Sequence, residues 1–336
     1  MVGEHEHHPV TTGAPLEDDE APLTRRLLAE FVGTLIFVAV GTGAASVLLK
    51  GPIEAFQSLP PQLRGAPGNT EIFSTLLGNG LGDLLAVALA FATALAVLVY
   101  AMGGVSGAHF NPAVTFALAV SRRFRWGDVF PYWIVQCLGA IAGAFVVAGI
   151  YGQAAASSGG TDIFFGATLI ADGIDWPRAL LSEAFIGFIL MTAIMAVAVD
   201  PRAPKGWSGL IIGLALAGGI LVTGAATGGS ANFARSLGPL VASLLYDTGD
   251  IPWGDIWIYA VGPIIGAAAA ALIYESVTGL ETVTPAPEPG AATHDDAALG
   301  PPSGGAVVTT TGETGTPPGL APTGDDPSGP TTPPGL

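Results

Sequence analysis

Two asparagines, two glutamates and one arginine fall beside long apolar runs in this sequence, where they could act inside a bilayer. Asn111 stands in Ser106-Gly107-Ala108-His109-Phe110-Asn111-Pro112-Ala113-Val114. Asn232 stands in a weaker echo, Thr227-Gly228-Gly229-Ser230-Ala231-Asn232-Phe233-Ala234-Arg235. In each, a small-residue turn precedes the Asn. Asn is among the best helix N-caps, and Pro112 at the first helical position lacks only an N–H that would be orphaned anyway. The apolar stretch 112–120 would make a helix of about 14 Å, which reaches half way across the hydrocarbon core. A second short helix would run from Asn232 to about residue 245.

If two such half-helices enter from opposite faces and meet, their positive ends, about half an elementary charge each, face one point. The Asn amides offer N–H donors there. A water or hydroxyl oxygen could accept from both. A cation would meet a positive barrier, and the central water would have to donate outward on both sides, which interrupts a proton chain. This is the chemistry of a pore for neutral hydrogen-bonding solutes. The plainer alternative leaves both Asn as caps and nothing more.

The carboxylates come at matching places. Leu27-Leu28-Ala29-Glu30-Phe31 resembles Leu180-Leu181-Ser182-Glu183-Ala184, and each precedes its Asn motif by two spans. A charge within a membrane costs a few kcal/mol at least and normally faces protein. Irregular backbone at membrane depth also needs partners for its N–H groups. Glu30 and Glu183 fit as acceptors that hold the loops leading into the half-helices. The competing reading is a proton or cation relay.

The elements that must position these residues follow from hydropathy. Apolar runs at 27–49, 81–102, 130–151, 176–199, 207–226 and 255–274 are each long enough for the roughly 20 residues of a membrane crossing. The stretches 50–80 and 152–175 read as loops rich in Gly and polar residues. The order is span, span, half-helix, span, twice over. Three spans per half is odd, so the second copy runs upside down, and an inverted repeat has its natural site at the midplane. The fold class is therefore an all-α membrane protein of six transmembrane helices plus two re-entrant half-helices. Repeat one covers about residues 25–152 and repeat two about 176–276, within a channel domain of 25–276.

Composition supports a membrane protein. Half of the 336 residues are hydrophobic and 11% are charged, less than half the charged share of a soluble domain, about 25%. Most of the net charge of −16 lies in two terminal tails, 1–24 and 277–336, whose acidic, Pro- and Gly-rich composition predicts disorder. The acidity is thus a property of solvated ends and points to no nucleic acid. His5, His7 and His8 read as part of a solvated tail rather than as a metal site. Cys137, alone, forms no disulfide framework and reads as a small buried residue in span three. No nucleotide loop, metal cluster or nucleophile–base pair stands out, so neither an enzyme nor a cofactor is expected. Arg25, Arg26, Arg122, Arg123, Arg125, Arg202 and Lys205 share one side of the expected topology, which puts both termini in the cytoplasm.

With these motifs in view, the sequence resembles the aquaporin and glycerol-facilitator family, the major intrinsic proteins. Residues 106–114 carry the first family signature, and Ala29-Glu30-Phe31-Val32-Gly33-Thr34 and Val261-Gly262-Pro263-Ile264-Ile265-Gly266-Ala267 match the family in spans one and six. The resemblance covers about residues 25–274. It implies a homotetramer with one pore per subunit in the cell membrane, and signature motifs at Asn111-Pro112-Ala113 and Asn232-Phe233-Ala234. It also implies an outer selectivity filter of Phe91, Ile220, Gly229 and Arg235. Water-selective members carry His where this chain has Ile220, and glycerol facilitators carry Trp where it has Phe91. A wider, more apolar filter than a strict water filter follows. Ser236 and Tyr259 resemble water channels, although Ala260 stands where a Trp usually follows that aromatic. His109 matches a pore-lining His, with loop support as its other role. Phe233 in place of the second Pro puts the width of the central constriction in question. The expected function is passive passage of water and small neutral solutes such as glycerol, urea or hydrogen peroxide, with ions and protons excluded. The alternatives are a glycerol or small-solute facilitator with little water preference, and a structural membrane protein whose pore Phe233 plugs.

Overall fold

The computed structural model describes residues 21–57, 60, 62, 81–158 and 161–280. Of the tails expected at 1–24 and 277–336, residues 1–20, with His5, His7 and His8, and 281–336 lie outside these residues, as does most of the 50–80 loop; the inner ends of both tails belong to helices that begin at Leu23 and end at Thr278. Within them the chain is helical. Helix α1 spans Leu23–Gln57, α2 Leu81–Ser106, α3 Pro112–Val120 and α4 Trp126–Tyr151. The second half has α5 Trp176–Ile194, α6 Ser208–Thr227, α7 Phe233–Ser243 and α8 Ile256–Thr278. Six of these are long and apolar enough to cross a membrane; α3, with 9 residues, and α7, with 11, are not.

Two expected boundaries move. The loop expected from residue 50 does not begin there, because α1 runs on to Gln57. Extending an existing helix needs no new nucleus, so residues that would not start one are carried along. The 152–175 stretch is not structureless: it holds a helical turn Gln153–Ala156, a two-residue ladder of β1 (Ser157–Ser158) with β2 (Thr161–Asp162), and a 3-10 turn Phe164–Gly166. Span four ends in a five-residue π-helix, Met195–Val199. Cys137 is half-buried rather than buried.

The repeat is visible in the packing. A Cβ on Gly139 of α4 would run into the Phe31 carbonyl of α1, and one on Gly266 of α8 would run into the Ala184 carbonyl of α5. Phe31 and Ala184 each follow the repeat's glutamate. Small residues at these crossings let helix backbones touch, which is how membrane helices gain packing without a hydrophobic driving force. The same relation appears in two tyrosines. Tyr132 Oη donates to the Ser106 carbonyl at 2.9 Å, and Tyr259 Oη donates to the Thr227 carbonyl at 2.9 Å. Each ties the third span of a repeat to the end of its second span.

Candidate functional site

The two Asn motifs meet. Asn111 caps α3, its side-chain oxygen accepting from Ala113 N at 2.9 Å. Asn232 caps α7, accepting from Arg235 N at 3.3 Å. Both have extended backbone, at φ −153° ψ 121° and φ −153° ψ 109°. Each amide nitrogen then crosses to the other motif: Asn111 Nδ2 donates to the Ala231 carbonyl at 2.8 Å, and Asn232 Nδ2 donates to the Phe110 carbonyl at 2.8 Å. The half-helices are thus joined N-terminus to N-terminus. Each amide has two N–H groups, and this cross-brace uses one.

The loops before the caps hold their N–H groups in unusual backbone. Ala108, Phe110 and Ala231 have positive φ, as do Gly107, Gly228 and Gly229. Such residues persist only when their surroundings over-determine them. The glutamates supply the constraint. Fully buried Glu30 accepts from His109 N at 2.9 Å, Phe110 N at 2.7 Å, Ser106 Oγ at 2.7 Å and Gln136 Nε2 at 2.8 Å. Glu183 accepts from Ser230 N at 3.0 Å, Ala231 N at 2.9 Å and Thr227 Oγ1 at 2.7 Å. With backbone and hydroxyl donors on both carboxylates, these contacts are those of a structural acceptor.

His109 packs against the rings of Phe124 and Tyr132, at 4.8 and 5.3 Å, and these two touch each other at 4.7 Å. Its Nδ1 lies 3.1 Å from Thr115 Oγ1. That hydroxyl donates to the Asn111 carbonyl at 3.0 Å and receives Gln136 Nε2 at 3.0 Å. Its one proton is spent, so the hydrogen on this contact belongs to His109 Nδ1, and Nε2 is left as an acceptor.

Arg235, 3% exposed, donates from Nη1 to the Gly166 carbonyl at 3.0 Å, with its guanidinium 4.8 Å from the centre of the Phe91 ring. Phe164, Phe165 and Gly166 all have positive φ, a strained turn for two bulky residues, and it is this turn that presents the carbonyl. Ile220 and Gly229 form a second pair: a Cβ on Gly229 would sit 3.1 Å from Ile220 Cα and 3.0 Å from Thr223 Oγ1. Behind Arg235 lies a chain of hydroxyls, with Ser236 Oγ 2.6 Å from Ser230 Oγ and 2.7 Å from Thr168 Oγ1.

A cavity extends from the Asn pair towards α1, α2, α5 and α6. One side is the irregular backbone of residues 107–110 and 230–231 with both Asn. The other side is apolar and includes Phe37, Leu95, Leu190, Ile194 and Leu216. Neither Phe233 nor the expected filter residues Phe91, Ile220, Gly229 and Arg235 are among its lining residues; Phe233 is half-buried, while Pro112 at the matching position is buried. Sequence reasoning missed the loop-tying role of Tyr132, the Gly166 carbonyl and the Gln136 contact with Glu30. The first was readable from Tyr132 and Tyr259, each seven residues before a glycine of the repeated helix crossing. The other two depend on residues far apart in the chain and leave no pattern.

Six apolar spans and two short helices capped by Asn, meeting end to end within them, define an integral multi-pass membrane protein built as an inverted repeat. The chain belongs to the major intrinsic protein family, whose model matches residues 17–274. It is 43% identical over 256 residues to aquaporin AqpM of Methanothermobacter thermautotrophicus, covering 76% of this chain and 98% of that one. A probable aquaporin AqpM of Archaeoglobus fulgidus is 43% identical, over 75% and 96% of the two chains. A glycerol uptake facilitator protein-like 6 of Lactiplantibacillus plantarum is 34% identical, over 74% and 95%. Among solved structures, the aquaglyceroporin from Plasmodium falciparum has the same fold, with a TM-score of 0.57 at 22% identity over 76% of this chain and 97% of that one.

Proposed function

We propose that the protein is a passive channel for water and small neutral solutes, assembled as a homotetramer in the cell membrane with both termini in the cytoplasm. The observation that carries this reading is the cross-brace of Asn111 and Asn232. It fixes both amides where the positive ends of α3 and α7 converge and leaves one N–H on each for a passing oxygen. The carbonyls of the left-handed loops supply acceptors along one wall, while the opposite apolar wall offers none. A solute therefore exchanges its hydration for a single file of fixed partners. Cations meet two helix N-termini and the Arg235 guanidinium, while Glu30 and Glu183 turn to the loop donors and are not among the residues lining the cavity. Phe91, Ile220, Gly229 and Arg235 act as the filter in this reading, with one cationic donor against an aromatic and an aliphatic side chain.

The apolar side chain of Ile220 also favours a second reading within the same class, a facilitator that passes glycerol with little preference for water. Against the plugged-pore reading stands the position of Phe233, half-buried and not among the residues that line the cavity beside the Asn pair. Stopped-flow swelling and shrinking of proteoliposomes separates these readings. Fast osmotic water flux is expected, with measurable glycerol flux. Slow water with fast glycerol would favour the facilitator, and no flux above bare lipid in folded tetramers would defeat both.

A further inference from the structure

The second motif departs from the first at two positions that the repeat brings into register. The paired tyrosines and the paired glycine crossings fix that register in the third spans. Tyr132 corresponds to Tyr259 and Gly139 to Gly266, by their identical contacts. One step after each tyrosine, Trp133 therefore corresponds to Ala260. One step after each capping Asn, Pro112 corresponds to Phe233. In repeat one, Trp133 Nε1 donates to the Pro112 carbonyl at 3.0 Å, so the large aromatic stands on the span and the small ring on the half-helix. In repeat two the sizes are reversed. Trp133, Phe233 and Ala260 are all half-buried, while Pro112 is buried.

We infer that Phe233 and Ala260 are one compensated exchange: the Phe233 ring fills, from the half-helix, the seat that Trp133 fills from the span in repeat one. Phe233 is then a positioning residue for Asn232 and neither a plug nor a defect. The cap geometry agrees. Asn111 and Asn232 have the same φ, −153°, and their cross-bonds are both 2.8 Å, although Asn111 caps the residue two on at 2.9 Å and Asn232 the residue three on at 3.3 Å; the larger residue has kept the cross-brace and changed only the cap bond. A methylene too many in a packed site forces neighbours off their rotamers, and one too few leaves a void, so such a pair must change together. The cost of the exchange is a lost tether, since Ala260 has no N–H to offer the Phe233 carbonyl from its side chain.

The test is a double-mutant cycle of Phe233→Pro, Ala260→Trp and the pair, in purified tetramers. It is read both as thermal unfolding and as the ratio of glycerol to water permeability. Each single change is expected to lower the apparent melting temperature by roughly 5 °C and the pair to recover most of it, since contacting residues couple. Phe233→Pro alone is expected to shift the permeability ratio about threefold through Asn232, and the pair to restore it. If Ala260→Trp alone does not assemble, the comparison of Phe233→Pro with the pair decides. Additive effects, or a pair no better than Phe233→Pro, would overturn the inference. So would a rise in water flux in Phe233→Pro, the signature of a plug removed. The permeability arm rests on the channel reading, whereas the unfolding arm does not, so a protein without flux would leave the coupling measurable.

Discussion

Arg235 donates from Nη1 to the Gly166 carbonyl and lies over the Phe91 ring, and both contacts leave much of its donor capacity for solute. Replacing it with Val removes the cation from the proposed filter while keeping an apolar fill. The expected outcome is increased cation or proton conductance in proteoliposomes with water flux retained; unchanged conductance would place Arg235 outside the permeation path. Ile220 packs so closely beside Gly229 that a Cβ there would sit 3.1 Å from Ile220 Cα. Ile220→His adds a polar ring there and should lower glycerol flux about tenfold while sparing water, a discrimination of roughly 1.4 kcal/mol, within the range a changed pocket contact supplies. An unaltered solute ratio would count against Ile220 as a filter residue. These side chains were named as a filter only through the resemblance to the family, carried onto this chain from the two Asn motifs. What Arg235 leans on was not readable in the sequence, because Gly166 is 69 residues away in a loop.

At the scale of elements, the half-helices depend on the loops before them, and those loops depend on Glu30 and Glu183. The loops satisfy part of their own N–H groups, Ala108 N through Ser106 Oγ and Asn232 N through Ser230 Oγ, and the others take their acceptor from another helix. Glu183→Leu leaves two backbone donors and the Thr227 hydroxyl without their partner and should cost about 3 kcal/mol or more. Thermal unfolding in detergent would report it, and Glu183→Gln, which keeps one acceptor oxygen, should cost less. Equal stability of the Leu variant would show that water serves the loop as well. Gly266→Leu tests the span crossing that carries the glutamate: the side chain has no room against the Ala184 carbonyl, so α5 and α8 must separate and assembly should fail. The need for an acceptor was legible from a carboxylate in each apolar repeat. The identity of its donors was not, because Glu30 lies 79 and 80 residues from the N–H groups it accepts.

Across the whole molecule, the cytoplasmic side of the proposed topology is laced by charged contacts between loops and the last span. Arg123 pairs with Glu275, joining the end of the first half-helix to α8. Asp200, after span four, accepts from Arg202 Nε at 2.8 Å and Nη2 at 2.6 Å and from Tyr274 Oη at 3.0 Å, while Arg202 Nη1 reaches the Thr278 carbonyl at 3.2 Å. The Arg202 guanidinium holds the Asp200 carboxyl well below the usual carboxylate range. A carboxylate whose pKa is depressed on folding contributes stability above its unfolded value, about 4, and that contribution is lost as pH falls through the folded value. Asp200→Asn should therefore melt at a lower temperature than the parent near neutral pH, with the gap closing as pH falls below about 4. A gap that does not change with pH would exclude the ion pair as its cause. The effect should be modest, because Arg202 is mostly exposed and screened by solvent.

The sequence by itself determined the number of spans, the two interruptions and the side chains placed at them. Each of those rests on local properties: 20-residue hydropathy, the capping chemistry of Asn and the spacing of a repeat. It could not determine which groups meet across the repeat. The cross-brace of Asn111 and Asn232, the turn that presents the Gly166 carbonyl, and the place of Phe233 outside the cavity lining join residues distant in the chain. Such contacts are chosen by the packing of eight helices at once, and Phe233 shows why. A Phe after a capping Asn blocks a pore or fills a gap beside it according to the size of the residue on another helix, and only the tertiary structure sets that distance.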